Sequence, residues 1–429
     1  MTYQETLEYL YNRLPMFSKV GVSAYKKDLT NTLELCKVLN NPQSKFKSIH
    51  IAGTNGKGST SHMLAAIFQT AGYKTGLYTS PHLKDFRERI RIDGQMCNEQ
   101  FVIDFIEKLQ PTIEKIQPSF FEVTVAMAFE YFAHQKVDIA IIETGLGGRL
   151  DSTNIIQPIL SIITNIGYDH MDILGNTLTE IAYEKAGIIK HKTPVVIGET
   201  IPETKTVFLN KANKESADII FTEDYYSIIS TQQNNQLQEI TYEEIDLKKI
   251  HTIEIDLLGK YQIKNFLTVI ESCKQLSKIG FQLNHEIIQR ALNQTKKITG
   301  LLGRWQILQE NPMIVLDVAH NKDGVLQIIQ QLQSISYNNL YCIFGMVKDK
   351  DHDAVLSLLP KTATYFFTQA HIERALPFLI LQEKASRFNL VGEGCNDVNE
   401  AIQKAKLLAS KDDLILVFGS VFLIGEVNY

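Results

Sequence analysis

The sequence predicts an α/β protein with two domains, each built on a mostly parallel sheet. Short apolar runs rich in β-branched residues alternate with helical patterns, which is typical of parallel strands covered by helices. This alternation occurs twice, once before about residue 218 and again after about residue 312. With 429 residues, the chain is long enough for two or three domains.

The first alternating series predicts the larger domain. Its strands are predicted at 46–52, 137–142, 159–164 and 194–198. Its helices are predicted at 59–71, 122–134, 260–276 and 284–295. Residues 218–256 are polar and show no helical period, which predicts a small antiparallel excursion or elaborated loops.

The second series predicts a smaller, Rossmann-like domain. Its strands are predicted at 313–318, 340–344, 364–368 and 413–418. Its helices are predicted at 323–334, 351–359, 375–386 and 397–409. A junction with two glycines, residues 296–303, separates the two series, so we predict domains at 1–297 and 298–429.

The composition argues against several classes of protein. The net charge of −5, without a basic block, argues against nucleic acid or an acidic membrane surface as a partner. The amino terminus lacks the apolar core of a signal peptide, and no run approaches the roughly 20 apolar residues of a membrane span. The 5 cysteines are scattered without CxxC spacing, which is typical of reduced thiols. We therefore expect a soluble, cytoplasmic protein.

The most informative segment is residues 53–59, Gly-Thr-Asn-Gly-Lys-Gly-Ser, which we call the phosphate loop. It lies between a predicted strand and a predicted helix, so successive backbone N–H groups and the positive end of the helix dipole point at one spot. Lys57 adds a positive charge, and Ser59 or Thr60 offers a hydroxyl to Mg²⁺. The usual pattern has the hydroxyl directly after lysine, whereas Gly58 intervenes here. These features together predict the triphosphate site of a P-loop ATP-binding domain rather than a turn with incidental glycines.

Three further polar clusters accompany apolar segments of the larger domain. Glu143 ends a predicted strand and precedes glycines, at the edge where open α/β sheets bind ligands, although a surface acid would show the same pattern. One carboxylate beside phosphates suffices for Mg²⁺. Asp169 and His170 follow the next strand, where they either bind a metal or cap a turn. Lys185 lies among apolar helix residues. Either only its aliphatic stem is buried, or its amine is held near the metal, with a perturbed pKa and open to carbamylation.

The smaller domain carries polar residues at equivalent places. Asp317 and His320 follow an apolar strand and precede a helix. Arg304 lies at the domain junction, where an arginine can reach a phosphate. Two such edges facing each other across a linker would form a ligand-binding crevice.

Eight motifs together resemble the folylpolyglutamate synthase/dihydrofolate synthase family, a branch of the Mur ligase superfamily. Their order and spacing match along essentially the whole chain, and TSPHL with GLGGRLDSTN is more specific than the phosphate loop alone. The motifs are GTNGKGS (53–59), TSPHL (79–83), ETGLGGRLDSTN (143–154), ITNIGYDHMDILG (163–175), IAYEKAGIIK (181–190), LLGKYQIKN (257–265), LLGRWQ (301–306) and LDVAHNKDG (316–324). The ending FGSVFLIGEV (418–427) also resembles the family's final strand–turn–helix.

The resemblance implies an ATP-dependent amide ligase. Such enzymes convert the carboxylate of a folate or dihydropteroate into an acyl phosphate, which the α-amine of L-glutamate attacks with release of ADP and phosphate. Phosphoryl transfer needs positioning and charge neutralisation more than covalent chemistry. Domain closure would exclude water from the acyl phosphate. The implied cofactors are ATP and Mg²⁺, with two ions.

The resemblance also implies residue roles. The catalytic residues would be Lys57, Lys185, His170 and Arg304, and Lys185 matches the lysine that is carbamylated in the family. The metal ligands would be Ser80, Glu143, His170 and Ser59. The ATP-binding residues would be Gly53, Thr54, Asn55, Gly56, Lys57, Gly58, Ser59, Thr60, Asn265, Arg304, Asp317 and His320. The acceptor-binding residues would be Ser80, His82, Asp151 and Ser152.

Four positions depart from the usual family pattern. Tyr261 precedes Gln262 where the family often has His. Leu302 and Lys322 stand where Pro is usual, and Thr144 stands where Val is common. None of these changes removes a proposed ligand, but Tyr261 bears on the adenine-side contacts.

Other functions remain open at this point. A Mur-type ligase acting on a UDP-sugar peptide is disfavoured by residues 79–95, which resemble the pteridine branch. A non-catalytic nucleotide-binding regulator is disfavoured because the lysine, acid and histidine of the predicted site are all present. A P-loop kinase or GTPase is disfavoured by Gly58 and by the paired α/β domains. The sequence does not decide whether the first glutamate, later glutamates or both are added, and a monomer is the default expectation.

Overall fold

The computed structural model describes residues 1–16, 26, 28–234 and 236–428. These residues form two compact units. The first consists of Met1–Gln232, Glu239–Asp256 and Gln262–Leu301, and the second of Gln233–Gln238, Leu257–Tyr261 and Leu302–Tyr429. The second unit therefore includes two short segments that precede its main stretch in the chain. The predicted domains, 1–297 and 298–429, stay a prediction.

The helices of the first unit are α1 (Tyr3–Arg13), α2 (Thr30–Val38), α3 (Lys57–Thr70), α4 (Glu99–Ile116), α5 (Phe120–His134), α6 (Met171–Leu174), α7 (Leu178–Ala186), α8 (Pro202–Glu215), α9 (Gln262–Lys278), α10 (His285–Leu292) and α11 (Thr295–Thr299). The strands up to residue 255 are β1 (Lys47–Ala52), β2 (Thr75–Tyr78), β3 (Ile90–Ile92), β4 (Gln95–Met96), β5 (Ile139–Glu143), β6 (Leu160–Ile163), β7 (Val195–Ile197), β8 (Ile219–Phe221), β9 (Tyr226–Gln233), β10 (Gln238–Glu244) and β11 (Lys249–Ile255).

The first unit is built on an eight-stranded sheet of order β4-β3-β2-β5-β1-β6-β7-β8. In sheet order, the neighbours β2, β5, β1, β6, β7 and β8 run parallel to one another. Strand β3 pairs antiparallel with both β2 and β4. The six parallel strands, β2, β5, β1, β6, β7 and β8, are almost wholly buried, as expected for parallel strands covered by helices. The predicted α/β class with a mostly parallel sheet is confirmed.

A second, three-stranded sheet of order β11-β10-β9 follows in the chain. Each connection is four residues long, 234–237 and 245–248, which is too short for a parallel crossover. Neighbouring strands therefore run antiparallel, as the polar composition of residues 218–256 predicted.

The second unit is built on a six-stranded sheet of order β12-β13-β17-β14-β15-β16. Only β12 runs antiparallel to its neighbour. Its strands are β12 (Gln306–Glu310), β13 (Met313–Leu316), β14 (Leu340–Phe344), β15 (Thr364–Phe367), β16 (Gly392–Gly394) and β17 (Leu414–Phe418). Its helices are α12 (Lys322–Leu332), α13 (His352–Leu356), α14 (Phe378–Ser386), α15 (Val398–Leu408) and α16 (Val421–Gly425). The four strands and four helices predicted for this part of the chain are all present.

Apolar clusters cover the large sheet. One joins buried side chains of α4 and α5, such as Phe105 and Phe129, to residues of β2 and β5. Another joins α7 and α8, through Ile181 and Phe208, to β6 and β7. Helix α5 begins where Ser119 accepts a hydrogen bond from the backbone of Glu122 in a capping box. No helix in the described ranges is long and apolar enough to cross a membrane.

Candidate functional site

The candidate site lies at the carboxyl edge of four adjacent parallel strands, in the order β2, β5, β1 and β6. Each of these strands ends in a polar segment that the sequence singled out. Ser80 follows β2, Glu143 ends β5, the phosphate loop follows β1, and Asn165 follows β6. Because the strands are parallel neighbours, these segments meet along one edge of the sheet.

The backbone of the phosphate loop requires glycine at two positions. Gly53 has φ of +155° and Gly56 has φ of +82°, a region that side chains other than glycine rarely adopt. A Cβ at Gly53 would overlap Thr164 Oγ1, and a Cβ at Gly56 would overlap Asn265 Oδ1. The loop is therefore enclosed by Thr164 from the end of β6 and by Asn265 from α9.

Hydrogen bonds from the end of β6 hold the loop in place. The backbone N–H of Thr54 donates to Asn165 O at 3.1 Å, and the N–H of Asn55 donates to Asn165 Oδ1 at 2.9 Å. Thr164 Oγ1 donates to Asn55 O at 2.6 Å. These contacts fix the loop before α3 begins at Lys57, so its conformation is preorganised for an anion at the helix N-terminus.

Two lysines converge on the loop. Lys57 Nζ donates to Gly53 O at 3.0 Å and to Thr54 O at 3.3 Å, and Lys185 Nζ donates to Gly53 O at 3.0 Å. Lys185 is buried, with 3% of its surface exposed. Burial and, to a smaller extent, the charge of Lys57 together lower the pKa of Lys185 from 10.5 to about 7, while Asp169 and Asp151 oppose the shift. Lys185 is thus close to half neutral at neutral pH.

The hydroxyl groups of the first helical turn differ in their contacts. Ser59 Oγ accepts a hydrogen bond from Gln262 Nε2 at 3.1 Å, and Asn265 Nδ2 donates to Gln262 Oε1 at 2.9 Å. Gln262 has no assigned role from the sequence, although it lies within the quoted LLGKYQIKN motif. Thr60 Oγ1 is buried and has no hydrogen-bond partner in the described part of the chain. A buried polar atom of this kind fits a site that is completed by a ligand.

The predicted metal ligands come from separate segments: Ser59 from α3, Ser80 after β2, Glu143 from the end of β5 and His170 from the segment after β6. Ser80 N donates to Glu143 Oε2 at 3.4 Å, and Glu143 is buried at the end of β5. His170 adopts φ of +51°, its N–H donates to Asp169 Oδ1 at 2.9 Å, and its Nε2 lies 3.9 Å from Asp169 Oδ2. Among the described residues no group of three His, Cys, Asp or Glu side chains could hold a metal ion. The ligand set Ser59, Ser80, Glu143 and His170 therefore stays a prediction.

One predicted acceptor residue, His82, contacts a buried arginine. Arg89 Nε donates to His82 Nδ1 at 2.8 Å, and the Arg89 guanidinium lies 5.2 Å from the centre of the Phe120 ring. Burial and, to a smaller extent, the charge of Arg89 together lower the pKa of His82 to about 3, so His82 is neutral. The sequence analysis assigned no role to Arg89. Its position in the charged run RERIRI was the only sequence feature that could have drawn attention to it.

The other two acceptor residues, Asp151 and Ser152, lie in the buried segment that follows the glycines after Glu143. Asp151 Oδ2 accepts from Leu146 N at 2.8 Å, and Asp151 Oδ1 accepts from Thr153 N at 3.0 Å. Burial raises the pKa of Asp151, against the effect of these hydrogen bonds. The carboxylate therefore organises the segment 145–153, whereas its contact with an acceptor stays a prediction.

The second unit presents its own polar cluster after β13. Asp317 Oδ2 accepts from Tyr261 OH at 2.7 Å and from Trp305 N at 2.9 Å. Burial raises the pKa of Asp317, while the Tyr261 hydrogen bond and the charge of Arg304 act in the opposite direction. His320 Nδ1 lies 2.9 Å from Val318 O. Tyr261, one of the four departures from the family pattern, thus donates a hydrogen bond to the carboxylate of Asp317, which is predicted to contact the nucleotide.

Comparisons with known proteins identify relatives along the whole chain. Residues 51–273 match the Mur ligase middle domain, and residues 303–421 match the Mur ligase glutamate ligase domain. A dihydrofolate synthase/folylpolyglutamate synthase of Bacillus subtilis is 32% identical, over 99% of this chain and 98% of the relative.

Solved structures agree in fold. The folylpolyglutamate synthase of Thermotoga maritima is 33% identical with a TM-score of 0.81, covering 99% of this chain and 95% of that chain. E. coli FolC, solved in complex with DHPP and ADP, is 26% identical with a TM-score of 0.85, covering 99% of this chain and 96% of that chain.

Proposed function

Because the chain belongs to the folylpolyglutamate synthase/dihydrofolate synthase family of Mur ligases, we propose that it joins L-glutamate to the carboxylate of a folate or dihydropteroate. The reaction proceeds through an acyl phosphate and converts ATP to ADP and phosphate. The DHPP and ADP in the solved complex of E. coli FolC support this choice of substrates.

One observation carries the proposal: Lys57 and Lys185 both donate to the carbonyl of Gly53, the first residue of the phosphate loop, which leads into helix α3. Backbone N–H groups of the loop and the helix dipole bind the β- and γ-phosphates. The Lys57 ammonium exchanges its two carbonyl partners for phosphate oxygens and neutralises charge that develops during transfer. An oxygen of the acceptor carboxylate takes the γ-phosphoryl group, and ADP leaves. The neutral amine of glutamate then attacks the carbon of this acyl phosphate, phosphate leaves, and the nitrogen loses a proton to give the amide.

The residues also suit a hard cation. Glu143 supplies a carboxylate, and Ser80 and Ser59 supply hydroxyl oxygens, which are the ligand types that Mg²⁺ prefers, with His170 as the predicted nitrogen ligand. When bound, Mg²⁺ would neutralise phosphate charge during transfer. The number of ions, two by resemblance, is part of the proposal.

Carbamylation of Lys185 fits its environment. The neutral amine is the reactive form, and its pKa of about 7 makes that form abundant at neutral pH. The neutral Nζ bonds to the carbon of CO₂ and loses one proton, which gives a carbamate anion. The carbamate attracts the Lys57 ammonium, whereas protonated Lys185 repels it.

Further parts of the proposal rest on the family resemblance. Arg304, Asp317, His320 and Asn265 contact the nucleotide, and His82, Asp151 and Ser152 contact the acceptor. The protein acts as a cytoplasmic monomer.

An ATP-consumption assay tests the proposed function. Dihydropteroate and tetrahydrofolate are each combined with L-glutamate, and product length is read by mass spectrometry. We expect ADP release only when acceptor and glutamate are both present. Absence of ADP release with every acceptor, under conditions where the B. subtilis relative is active, would contradict the proposal. Turnover with a UDP-muramyl peptide instead would assign the Mur-type alternative.

A variant separates an enzyme from a nucleotide-binding regulator. Lys57→Ala should abolish ADP release while the circular dichroism spectrum and unfolding transition persist. Wild-type protein that binds ATP without any turnover would support the regulator.

A further inference from the structure

A chain of buried hydrogen bonds connects strand β1 to the segment that follows Glu143. His50 Nε2 lies 2.8 Å from Thr153 Oγ1, and Thr153 Oγ1 donates to Asp151 Oδ1 at 2.5 Å. The other carboxylate oxygen, Asp151 Oδ2, accepts from Leu146 N at 2.8 Å. His50 and Thr153 are completely buried and Asp151 is 3% exposed, so water does not compete for these contacts.

The direction of each hydrogen bond follows from the groups themselves. Although burial disfavours the charge of Asp151, the N–H groups of Leu146 and Thr153 donate to its two oxygens and stabilise the ionised carboxylate. An ionised carboxylate only accepts, so the single hydroxyl proton of Thr153 goes to Asp151. Thr153 Oγ1 must then accept from His50, which places the proton of the imidazole on Nε2. His50 Nδ1 has no hydrogen-bond partner among the described residues, which agrees with an unprotonated nitrogen. Burial lowers the pKa of His50 to about 3, so the ring is neutral and carries one proton.

The chain joins two parts of the candidate site. His50 lies on β1, three residues before Gly53 of the phosphate loop. Asp151 accepts hydrogen bonds from backbone N–H groups near both ends of its own segment, those of Leu146 and Thr153. The orientation of the Asp151 carboxylate therefore depends on Thr153, and that of Thr153 depends on His50.

We propose that His50 and Thr153 are positioning residues that orient Asp151 and the segment 145–153 for the acceptor. This inference rests on the proposed function, since the acceptor is the pteridine acid of that reaction. His50 and Thr153 act through Asp151 and do not touch the reacting atoms. Loss of the Thr153 hydroxyl should therefore weaken acceptor binding without a matching effect on ATP.

The kinetic test uses Thr153→Val and Thr153→Ser. Thr153→Val keeps the shape of the side chain and removes the hydroxyl, whereas Thr153→Ser keeps the hydroxyl. We expect Thr153→Val to raise KM for the acceptor at least tenfold with KM for ATP within twofold of wild type. Thr153→Ser should restore KM for the acceptor to within about threefold.

Thr204→Val is the matched control. Thr204 is fully buried on α8, and its hydroxyl donates to Ile201 O at 3.1 Å, so its loss removes a buried hydrogen bond at a different place in the same unit. We expect it to lower the melting temperature about as much as Thr153→Val while leaving both KM values unchanged. Equal changes in the KM values for ATP and acceptor in Thr153→Val, or identical kinetics of the two valine variants, would overturn the proposal.

A second measurement does not depend on turnover. Nitrogen-15 NMR of histidine-labelled protein should show His50 as the neutral Nε2–H tautomer, and Thr153→Val should shift its imidazole proton. Observation of the Nδ1–H tautomer would overturn the hydrogen-bond chain. If wild-type protein turned over no pteridine acid, the proposed function would fail, while this NMR result would still decide the chain.

Discussion

Lys57 and Lys185 donate to the same backbone oxygen, that of Gly53, each at a distance of 3.0 Å. Two cations therefore meet at the point where β1 turns into the phosphate loop. The burial of Lys185 and, to a smaller extent, its repulsion by Lys57 favour the neutral amine of Lys185. A bound triphosphate offers Lys57 a stronger partner than a neutral carbonyl oxygen.

The first prediction concerns stability and pH. Burial lowers the pKa of Lys185 from 10.5 to about 7, so between these values the folded protein binds fewer protons than the unfolded chain. The free energy of unfolding should therefore rise with pH across this window, and the penalty should be fully present below about pH 7. Urea unfolding of Lys185→Met in CO₂-free buffer should show a shallower rise than wild type. Lys278→Met, which removes an exposed lysine at the end of α9, should follow the wild-type curve.

The second prediction concerns the turn at Gly56. Gly56→Ala would place a Cβ against Asn265 Oδ1 at φ of +82°, so we expect nucleotide affinity to fall at least tenfold. Gly72→Ala is the matched control, because Gly72 has φ of +88° and no atom lies within 4 Å of the place that its Cβ would take. Both variants should lose about 1–2 kcal/mol of stability from backbone strain. Isothermal titration with ADP measures the difference, and equal affinities for the two variants would refute the role of the loop.

The third prediction concerns Tyr261 and Asp317. Tyr261→Phe removes the hydroxyl that donates to Asp317 Oδ2, so the unfolding free energy should fall by about 1 kcal/mol. We also expect KM for ATP to rise, while KM for the acceptor stays unchanged. Tyr365→Phe, which removes a comparable hydrogen bond to Pro360 O in the same unit, should cost similar stability without changing KM for ATP. A KM for ATP unchanged in Tyr261→Phe would show that Asp317 needs no such partner.

The fourth prediction concerns the carboxylate at the end of β5. Glu143→Gln keeps the shape of the side chain but removes the charge that is proposed to bind Mg²⁺. We expect kcat to fall at least a hundredfold and the Mg²⁺ concentration for half-maximal activity to rise. Glu271→Gln changes another buried glutamate of the first unit, which accepts from Tyr226 OH, and should keep near-normal kcat. Equal losses in both variants would point to a general effect on folding.

The sequence predicted those parts of the site whose geometry is local. The strand, the phosphate loop and helix α3 are consecutive in the chain, so apolar periodicity and glycine spacing indicate all three. Glu143 was identified for the same reason, because an acid at the end of an apolar strand lies at the sheet edge whatever the strand order.

Some residues whose contacts depend on distant partners received no role, whereas others, such as Lys185 and Asn265, were assigned one only through the family resemblance. Gln262 donates to Ser59 across 203 positions of sequence, and Arg89 gains its role from burial beside Phe120 and His82. His50 and Thr153 likewise look like ordinary strand and turn residues until β1 and the segment 145–153 are placed side by side. Strands β2 to β4 were also not singled out, because they have only two to four residues and, unlike the PVVIG run at β7, are not continuous apolar β-branched runs.

By itself the sequence determined the alternation of strands and helices, the phosphate loop and the family resemblance, since each is a pattern along consecutive residues. Only the tertiary structure decided that Lys57 and Lys185 share the Gly53 carbonyl, that Asn265 covers Gly56, and that His50 reaches Asp151 through Thr153. The physical reason is that these contacts depend on strand order and helix packing. Both bring together segments that are far apart in the chain, and neither leaves a periodic signal in the sequence.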